Sequence, residues 1–206
     1  IYVIVNGVKG DIEKWSKIMM PTIIVILMVL AIRGLTLPNG MSGLTFLFKP
    51  KFEDLSASAV LLALGHSFFT LSLGMGTMIT YGSYLKRTEN LLNSALWVIG
   101  LDTAIALLAG IAIFSTVFAL GADPAEGAGL IFVVLPSIFP QIPGGQIWGT
   151  LFFVILFMAA LTSAISILEV VTAYFIDQKG WTRIRSTILF GGIITVVGIF
   201  CSLSLG

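Results

Sequence analysis

Long apolar runs alternate with short polar segments along the whole chain. Runs long enough to cross a membrane cover 18–37, 59–85, 91–120, 147–176 and 186–206, and a shorter run covers 1–8. A helix needs about 20 mostly apolar residues to cross a bilayer. The pattern therefore predicts an all-α integral membrane protein, with a single transmembrane domain over 1–206. The polar segments predict loops, among them 38–58. The long loop over 121–146 holds GLIFVVLP, which is too short to cross and predicts a re-entrant or surface-packed helix.

The run over 59–85 is unusual at its centre, where Phe68–Tyr84 reads FFTLSLGMGTMITYGSY. Hydroxyls from Thr70 and Ser72 are followed by GMG at 74–76. Glycine weakens helices, and unwound backbone inside a membrane is tolerated only where it lines a cavity or is buried in protein. The pattern predicts a discontinuous helix whose first half presents carbonyls to a cation and whose second half presents N–H groups to an anion. The alternative is that the glycines only allow close helix packing.

Composition supports the membrane assignment and excludes other classes. Hydrophobic residues make up 57% of the chain and charged residues 10%, while the net charge of +1 points to no nucleic-acid partner. No nucleophile–base set or zinc motif is present, so an enzyme is not expected. The chain begins and ends in apolar runs, which predicts an internal piece of a larger transmembrane protein.

Basic residues are distributed unequally between alternate loops. Loops 9–17, 86–90 and 177–185 hold eight of the eleven Lys and Arg residues, whereas loop 121–146 holds none. Cytoplasmic loops of membrane proteins are enriched in Lys and Arg. The distribution predicts a multi-pass protein of the cell membrane with loops 9–17, 86–90 and 177–185 in the cytoplasm.

Polar residues inside the predicted spans are candidates for function, because a charge there is costly unless it is paired or used. Asp102 is interpreted as a sodium ligand, a proton carrier or a buried partner for hydroxyl donors. In the span over 147–176, Ala159, Ser163 and Ser166 share a helix face bordered by Thr162, which suits either a hard cation or close helix packing. Glu169, farther along, is interpreted as a packing or gating carboxylate rather than an ion ligand.

Four stretches resemble the neurotransmitter:sodium symporter family in its order and spacing. FFTLSLGMGTMITYGSY resembles the sixth helix, DIEKWSKIMMPT the start of the fifth, GLIFVVLPSIFPQIPGG the extracellular gate and LTSAISILE the eighth helix. The resemblance implies an inverted-repeat fold of five plus five helices, of which this chain covers the end of the fourth helix into the ninth. It implies sodium-coupled symport of amino acids by alternating access, similar to bacterial symporters of hydrophobic or aromatic amino acids.

The resemblance also implies roles for individual residues. Thr70 and Asp102 match a first sodium site, and Ala159, Thr162 and Ser163 a second. Many family members have Asn at the position of Asp102, so a carboxylate there predicts transport without chloride. The substrate pocket is matched by Phe69, Thr70, Ser72, Met75, Ser163 and Ile167. Tyr84 and Asp177 match the inner gate.

Other interpretations of the residues remain open at this point. Asp102 could titrate in a proton-linked carrier or channel, or the protein could be a transport-inactive membrane receptor. The expected partners are a lipid bilayer, the remaining helices of the same protein and, for a transporter, an amino acid as small-molecule substrate.

Overall fold

A computed structural model describes residues 1–5, 7, 11–124 and 129–203. Predictions that concern 8–10, including Lys9 of the first charged loop, 125–128 of the long loop and 204–206 of the last span lie outside these residues. The chain divides into two compact units. The first unit comprises Ile1–Met20, Ser72–Glu89 and Ala159–Gly206, and the second comprises Pro21–Leu71 and Asn90–Met158.

The described residues are helical, as the apolar pattern predicts. The α-helices are α1 Tyr2–Val5, α2 Glu13–Thr36, α3 Met41–Phe48, α4 Ala57–Thr70, α5 Thr77–Ser83, α6 Leu91–Ala119, α7 Leu135–Ile138, α8 Gly145–Lys179 and α9 Arg183–Leu203. Short π and 3₁₀ turns at Leu130–Val134 and Phe139–Gln141 flank α7, and another 3₁₀ turn covers Phe52–Asp54. By length and composition, α2, α6, α8 and α9 could each cross a membrane.

The apolar run over 59–85 forms two helices rather than one, which confirms the predicted discontinuous helix. The side chain of Ser56 accepts a hydrogen bond from the Ala59 amide and caps the start of α4. The helix then stops at Thr70, and α5 starts at Thr77. The boundary between the two compact units falls inside this break, after Leu71.

Helix α3 occupies a segment for which the sequence predicts a polar loop, 38–58. Its sequence MSGLTFLF is mainly apolar, and the ring of Phe46 packs against Phe114 and Phe118 of α6 with centroids 5.1 Å apart. The polar loop predicted over 38–58 is wrong for these eight residues. They are too few for a span, and the basic residues Lys49 and Lys51 that follow made the whole segment read as polar. Contact with α6 supplies the stability that such a short helix lacks in isolation.

Gly43 packs directly against the backbone of α6. A Cβ atom built on Gly43 would lie 2.5 Å from the backbone nitrogen of Ser115, so any side chain forces the two helices apart. Gly65 of α4 is a matched position, because nothing lies within 4 Å of its added Cβ atom.

We expect Gly43→Ala to lower the free energy of unfolding by about 1–3 kcal/mol, the usual range for overpacking a close contact. Gly65→Ala should be neutral or stabilising by up to about 1 kcal/mol, because alanine is the better helix former. Thermal unfolding of both purified variants in detergent checks the pair. Equal midpoints for the two variants would contradict the close contact at Gly43.

The core of the second unit lies where α2, α6, α8 and the α7 segment meet. One buried cluster groups Leu37, Val117, Leu130, Leu135, Ile138, Phe139 and Ile142, and the other Ile23, Leu27, Leu30, Ala31, Ala112 and Ile155. In the first unit, α1 packs on α9, with Ile4 only 1% exposed.

Candidate functional site

Thr70 and Asp102 meet within the second unit. The Thr70 hydroxyl, on the last residue of α4, is placed to donate its hydrogen bond to Oδ2 of Asp102 at 3.3 Å, and the Ser67 carbonyl is a second acceptor at the same distance. Asp102 is half-buried on α6, and Thr70 is exposed. The last carbonyls of a helix have no partner within the helix and carry partial negative charge. A carboxylate and a hydroxyl thus meet at the end of α4, and both are ligands that a hard cation prefers.

The backbone of the break has an unusual conformation. Ser72, Gly74 and Gly76 have φ angles of 54°, 83° and 78°, in the left-handed region. Glycine adopts such angles without cost, but for Ser72 they are uncommon. Strained non-glycine backbone of this kind is concentrated at functional sites. The φ angle of Ser72 therefore marks the break as a candidate binding segment.

Hydroxyls line one face of α8 in the first unit. The Thr162 hydroxyl donates to the Ala159 carbonyl at 2.7 Å, and the Ser166 hydroxyl donates to the Thr162 carbonyl at 3.1 Å. Ser163 lies on the same part of the helix and is exposed. Two of the residues matched to a sodium site, Ala159 and Thr162, are therefore joined by a hydrogen bond.

Residues matched to the substrate pocket are distributed over both units. Phe69 and Thr70 belong to the second unit, and Ser72, Met75, Ser163 and Ile167 belong to the first. The side chains of Phe69, Met75 and Ile167 are 70%, 41% and 50% exposed. Each unit thus presents apolar side chains on its surface next to the break or to the hydroxyl face of α8.

Glu169 is the centre of a buried polar network in the first unit. Its side chain is fully buried and forms an ion pair with Arg183, Nη2 to Oε2 at 2.5 Å. The Tyr84 hydroxyl donates to the other carboxylate oxygen, Oε1, at 2.7 Å. Arg183 also donates from Nε to the carbonyl of Ile4 at 2.6 Å. The carboxylate is thus satisfied by two donors, as a packing or gating role requires.

The structure pairs Tyr84 with Glu169 rather than with Asp177. Asp177 lies near the end of α8 and is exposed, and no hydrogen bond joins it to Tyr84 in the described chain. The gate formed by Tyr84 and Asp177 stays a prediction.

Sequence reasoning missed Arg183 as the partner of Glu169 and missed the bond from Tyr81 of α5 to Ser166. That Glu169 needs a cation could have been anticipated, because a carboxylate inside a span is costly unless paired, but Lys179, Arg183 and Arg185 all follow in the next loop. The Tyr81 hydroxyl donates to the Ser166 hydroxyl at 3.3 Å. Nothing in the sequence distinguishes Tyr81 from an ordinary interface tyrosine.

The donors at the two matched sites are oxygens: the Asp102 carboxylate, the Thr70 and Thr162 hydroxyls and the Ala159 carbonyl. Carboxylate, hydroxyl and carbonyl oxygens suit a hard cation. Among the described residues, no group of three or more His, Cys, Asp or Glu side chains that could hold a metal occurs.

Membrane-length apolar helices and a helix broken beside a carboxylate are features of the inverted-repeat class of membrane proteins. The chain belongs to the Sodium:neurotransmitter symporter family, whose model matches residues 1–206. The neighbours in sequence and in structure agree with this family.

A sodium-dependent transporter of Bacillus subtilis, YhdH, is 41% identical over 206 residues, which are 100% of this chain and 46% of that protein. A sodium- and chloride-dependent GABA transporter of Drosophila melanogaster, ine, is 33% identical over 77% of this chain and 18% of its own length. The crystal structure of MhsT in complex with L-phenylalanine matches with a TM-score of 0.87 and 50% identity, over 100% of this chain and 47% of MhsT. The chain thus spans about half the length of the bacterial transporter and of the solved structure.

Proposed function

We propose that the protein is a sodium-coupled symporter of hydrophobic or aromatic amino acids that works by alternating access. The observation that carries the proposal is the hydrogen bond from Thr70 to Asp102 at the end of α4, immediately before the break. The similarity to a sodium-dependent transporter of Bacillus subtilis supports the ion, and the similarity to phenylalanine-bound MhsT supports the substrate class.

A first sodium ion would be held by Thr70 and Asp102. The Asp102 carboxylate supplies a full negative charge, and the end of α4 supplies carbonyls with partial negative charge. Sodium bound there would favour the conformation of α4 that brings these oxygens together, since a ligand stabilises the state that it binds better.

A second sodium ion would be held on α8 by the Ala159 carbonyl and the Thr162 and Ser163 hydroxyls. In this structure the Thr162 hydroxyl donates to the Ala159 carbonyl. A bound sodium ion would replace that proton as the partner of the carbonyl oxygen. A hydroxyl oxygen keeps lone pairs for a cation after its proton has turned away. The donor set fits sodium without any further carboxylate.

The residues proposed to contact the substrate, as the family resemblance implies, are Phe69, Thr70, Ser72, Met75, Ser163 and Ile167. Methionine is unbranched and adapts to irregular shapes, so Met75 suits a pocket for several bulky apolar side chains. The positive φ angle of Ser72 holds backbone polar groups of the break away from helical pairing, which leaves them available to a polar ligand.

The proposed orientation places loops 9–17, 86–90 and 177–185 in the cytoplasm and the protein in the cell membrane. Tyr84 and Asp177 would then lie at the cytoplasmic end of the transport path. The buried pair of Glu169 and Arg183 anchors Tyr84 there through the 2.7 Å hydrogen bond.

A competition screen on the complete purified protein tests the substrate class. Binding of labelled phenylalanine is measured against each of the twenty amino acids, in sodium and in potassium. We expect the bulky apolar and aromatic amino acids to compete in sodium only. Competition by charged or small polar amino acids alone would contradict the proposed class, and equal binding in the two salts would contradict sodium coupling.

Chloride should not be required, because Asp102 itself provides the fixed negative charge near the first sodium site. We expect uptake by the complete protein in proteoliposomes to survive full replacement of chloride by gluconate, with less than about a twofold loss, equivalent to less than about 0.4 kcal/mol. Strict dependence on chloride would refute this role of Asp102 without bearing on sodium coupling.

A further inference from the structure

A chain of hydroxyl hydrogen bonds leads from α5 to the face of α8 that carries the proposed second sodium site. Tyr81 donates to the Ser166 hydroxyl at 3.3 Å, and Ser166 donates to the Thr162 carbonyl at 3.1 Å. Thr162 in turn donates to the Ala159 carbonyl at 2.7 Å. All four residues belong to the first unit, and Tyr81 and Ser166 are half-buried.

The bond from Tyr81 differs in kind from the other two. Serine and threonine hydroxyls in helices ordinarily donate to a carbonyl one turn earlier, so the bonds of Ser166 and Thr162 are local to α8. The bond from Tyr81 instead joins a different helix, α5 of the broken span, to the hydroxyls of α8. Because Ser166 accepts from Tyr81 while donating to Thr162, its hydroxyl is fixed at both ends.

Fixing Ser166 has a consequence for Thr162. A ligand group must be held within about 0.5 Å of its productive position to bind an ion well. The Ser166 hydroxyl donates to the Thr162 carbonyl. This bond fixes the turn of α8 that carries the Thr162 hydroxyl, which in turn donates to the Ala159 carbonyl. Hydrogen bonds in such a series also strengthen one another.

We infer that Tyr81 is a positioning residue for the sodium site on α8 and couples occupancy of that site to the position of α5. The inference rests on the proposed function, since it assigns regulation of the same site. Tyr81 touches neither Ala159 nor Ser163 through a hydrogen bond of the described chain, and it acts through Ser166. Movement of α5 that breaks the 3.3 Å bond would weaken sodium binding, and bound sodium would hold α5 in place.

Tyr84 serves a separate purpose although it lies one turn along from Tyr81. Their rings are 6.3 Å apart, but the Tyr84 hydroxyl donates to Glu169 and not to the hydroxyl face. Tyr174 of α8 offers a matched control: it is 53% exposed, its ring contacts Phe175, and its hydroxyl has no hydrogen bond in the described part of the structure.

The test compares Tyr81→Phe, Ser166→Ala, the double variant and Tyr174→Phe in the complete protein. Sodium binding is followed by sodium-dependent thermal stabilisation in detergent, and transport by phenylalanine uptake at increasing sodium. A hydrogen bond contributes about 0.5–1.5 kcal/mol, so each single variant should need about 2- to 12-fold more sodium for half-maximal stabilisation and half-maximal uptake. At saturating sodium, uptake by each single variant should stay near that of the parent. Tyr174→Phe should match the parent in both sodium-dependent stabilisation and uptake at every sodium concentration.

The double variant separates the positioning role from two independent effects. If Tyr81 acts through Ser166, the double variant needs no more sodium than the worse single variant. The inference would be overturned if the fold-increase in required sodium in the double variant equals the product of the two single-variant increases. It would also be overturned if neither single variant changes the sodium dependence. Should Tyr81→Phe fail to fold, Ser166→Ala alone must show the shift. A parent protein that binds phenylalanine equally without sodium would overturn the proposed function itself.

Discussion

Arg183→Met is expected to destabilise the protein by about 3–5 kcal/mol, because it leaves the Glu169 carboxylate buried without its cation. Glu169 is fully buried, and Arg183 is its ion-pair partner at 2.5 Å. The tyrosine hydroxyl that remains, from Tyr84, cannot neutralise the charge. Thermal unfolding in detergent should show a large fall in midpoint or a loss of folded protein.

Two further variants show whether charge is the cause. Glu169→Gln combined with Arg183→Met removes both charges and should recover a large part of the loss, since replacing a whole buried pair is often close to neutral. Lys17→Met breaks the exposed pair between Lys17 and Glu13, 2.6 Å apart, and should change stability by less than about 1 kcal/mol. Equal destabilisation by Arg183→Met and by Lys17→Met would contradict the larger contribution to stability that we expect from the buried pair.

Asp102→Asn is expected to lower the apparent sodium affinity by more than about tenfold. Asparagine keeps an oxygen for the Thr70 hydroxyl, so the variant removes charge and leaves the hydrogen bond at 3.3 Å possible. Two unit charges about 4 Å apart interact by about 4 kcal/mol at an effective dielectric of about 20. If desolvation offsets about half of this, more than about 1.4 kcal/mol remains, which is the tenfold change.

Sodium-dependent phenylalanine uptake by the complete protein measures the effect, with Glu89→Gln as the matched loss of an exposed carboxylate. Glu89→Gln should leave the sodium dependence unchanged. Sodium affinity that is the same in Asp102→Asn as in the parent would remove Asp102 from the proposed first site. A change confined to pH dependence would instead favour a proton-linked carrier.

The broken helix could be predicted because its cause is local. Two closely spaced glycines and two hydroxyls at 70–76 favour an unwound segment within the apolar run, and the structure has its break over 71–76. The φ angle of 54° at Ser72 could not be predicted, because serine rarely adopts it and the surrounding fold imposes it.

Pairings between distant residues could be predicted only in part. The resemblance brought Thr70 and Asp102 together, and the structure joins them directly. It left Glu169 without a partner, because which cation reaches a buried carboxylate depends on how α8 and α9 pack. Helix α3 was missed for a similar reason: its stability comes from α6, which no local pattern reveals.

Uptake of phenylalanine into proteoliposomes holding the complete protein tests the central proposal most directly. A sodium gradient directed inward is compared with the same gradient of potassium. We expect phenylalanine to accumulate above the external concentration with sodium, and only to equilibrate or not to enter with potassium. Uptake that is indifferent to the exchange of sodium for potassium would contradict sodium-coupled symport.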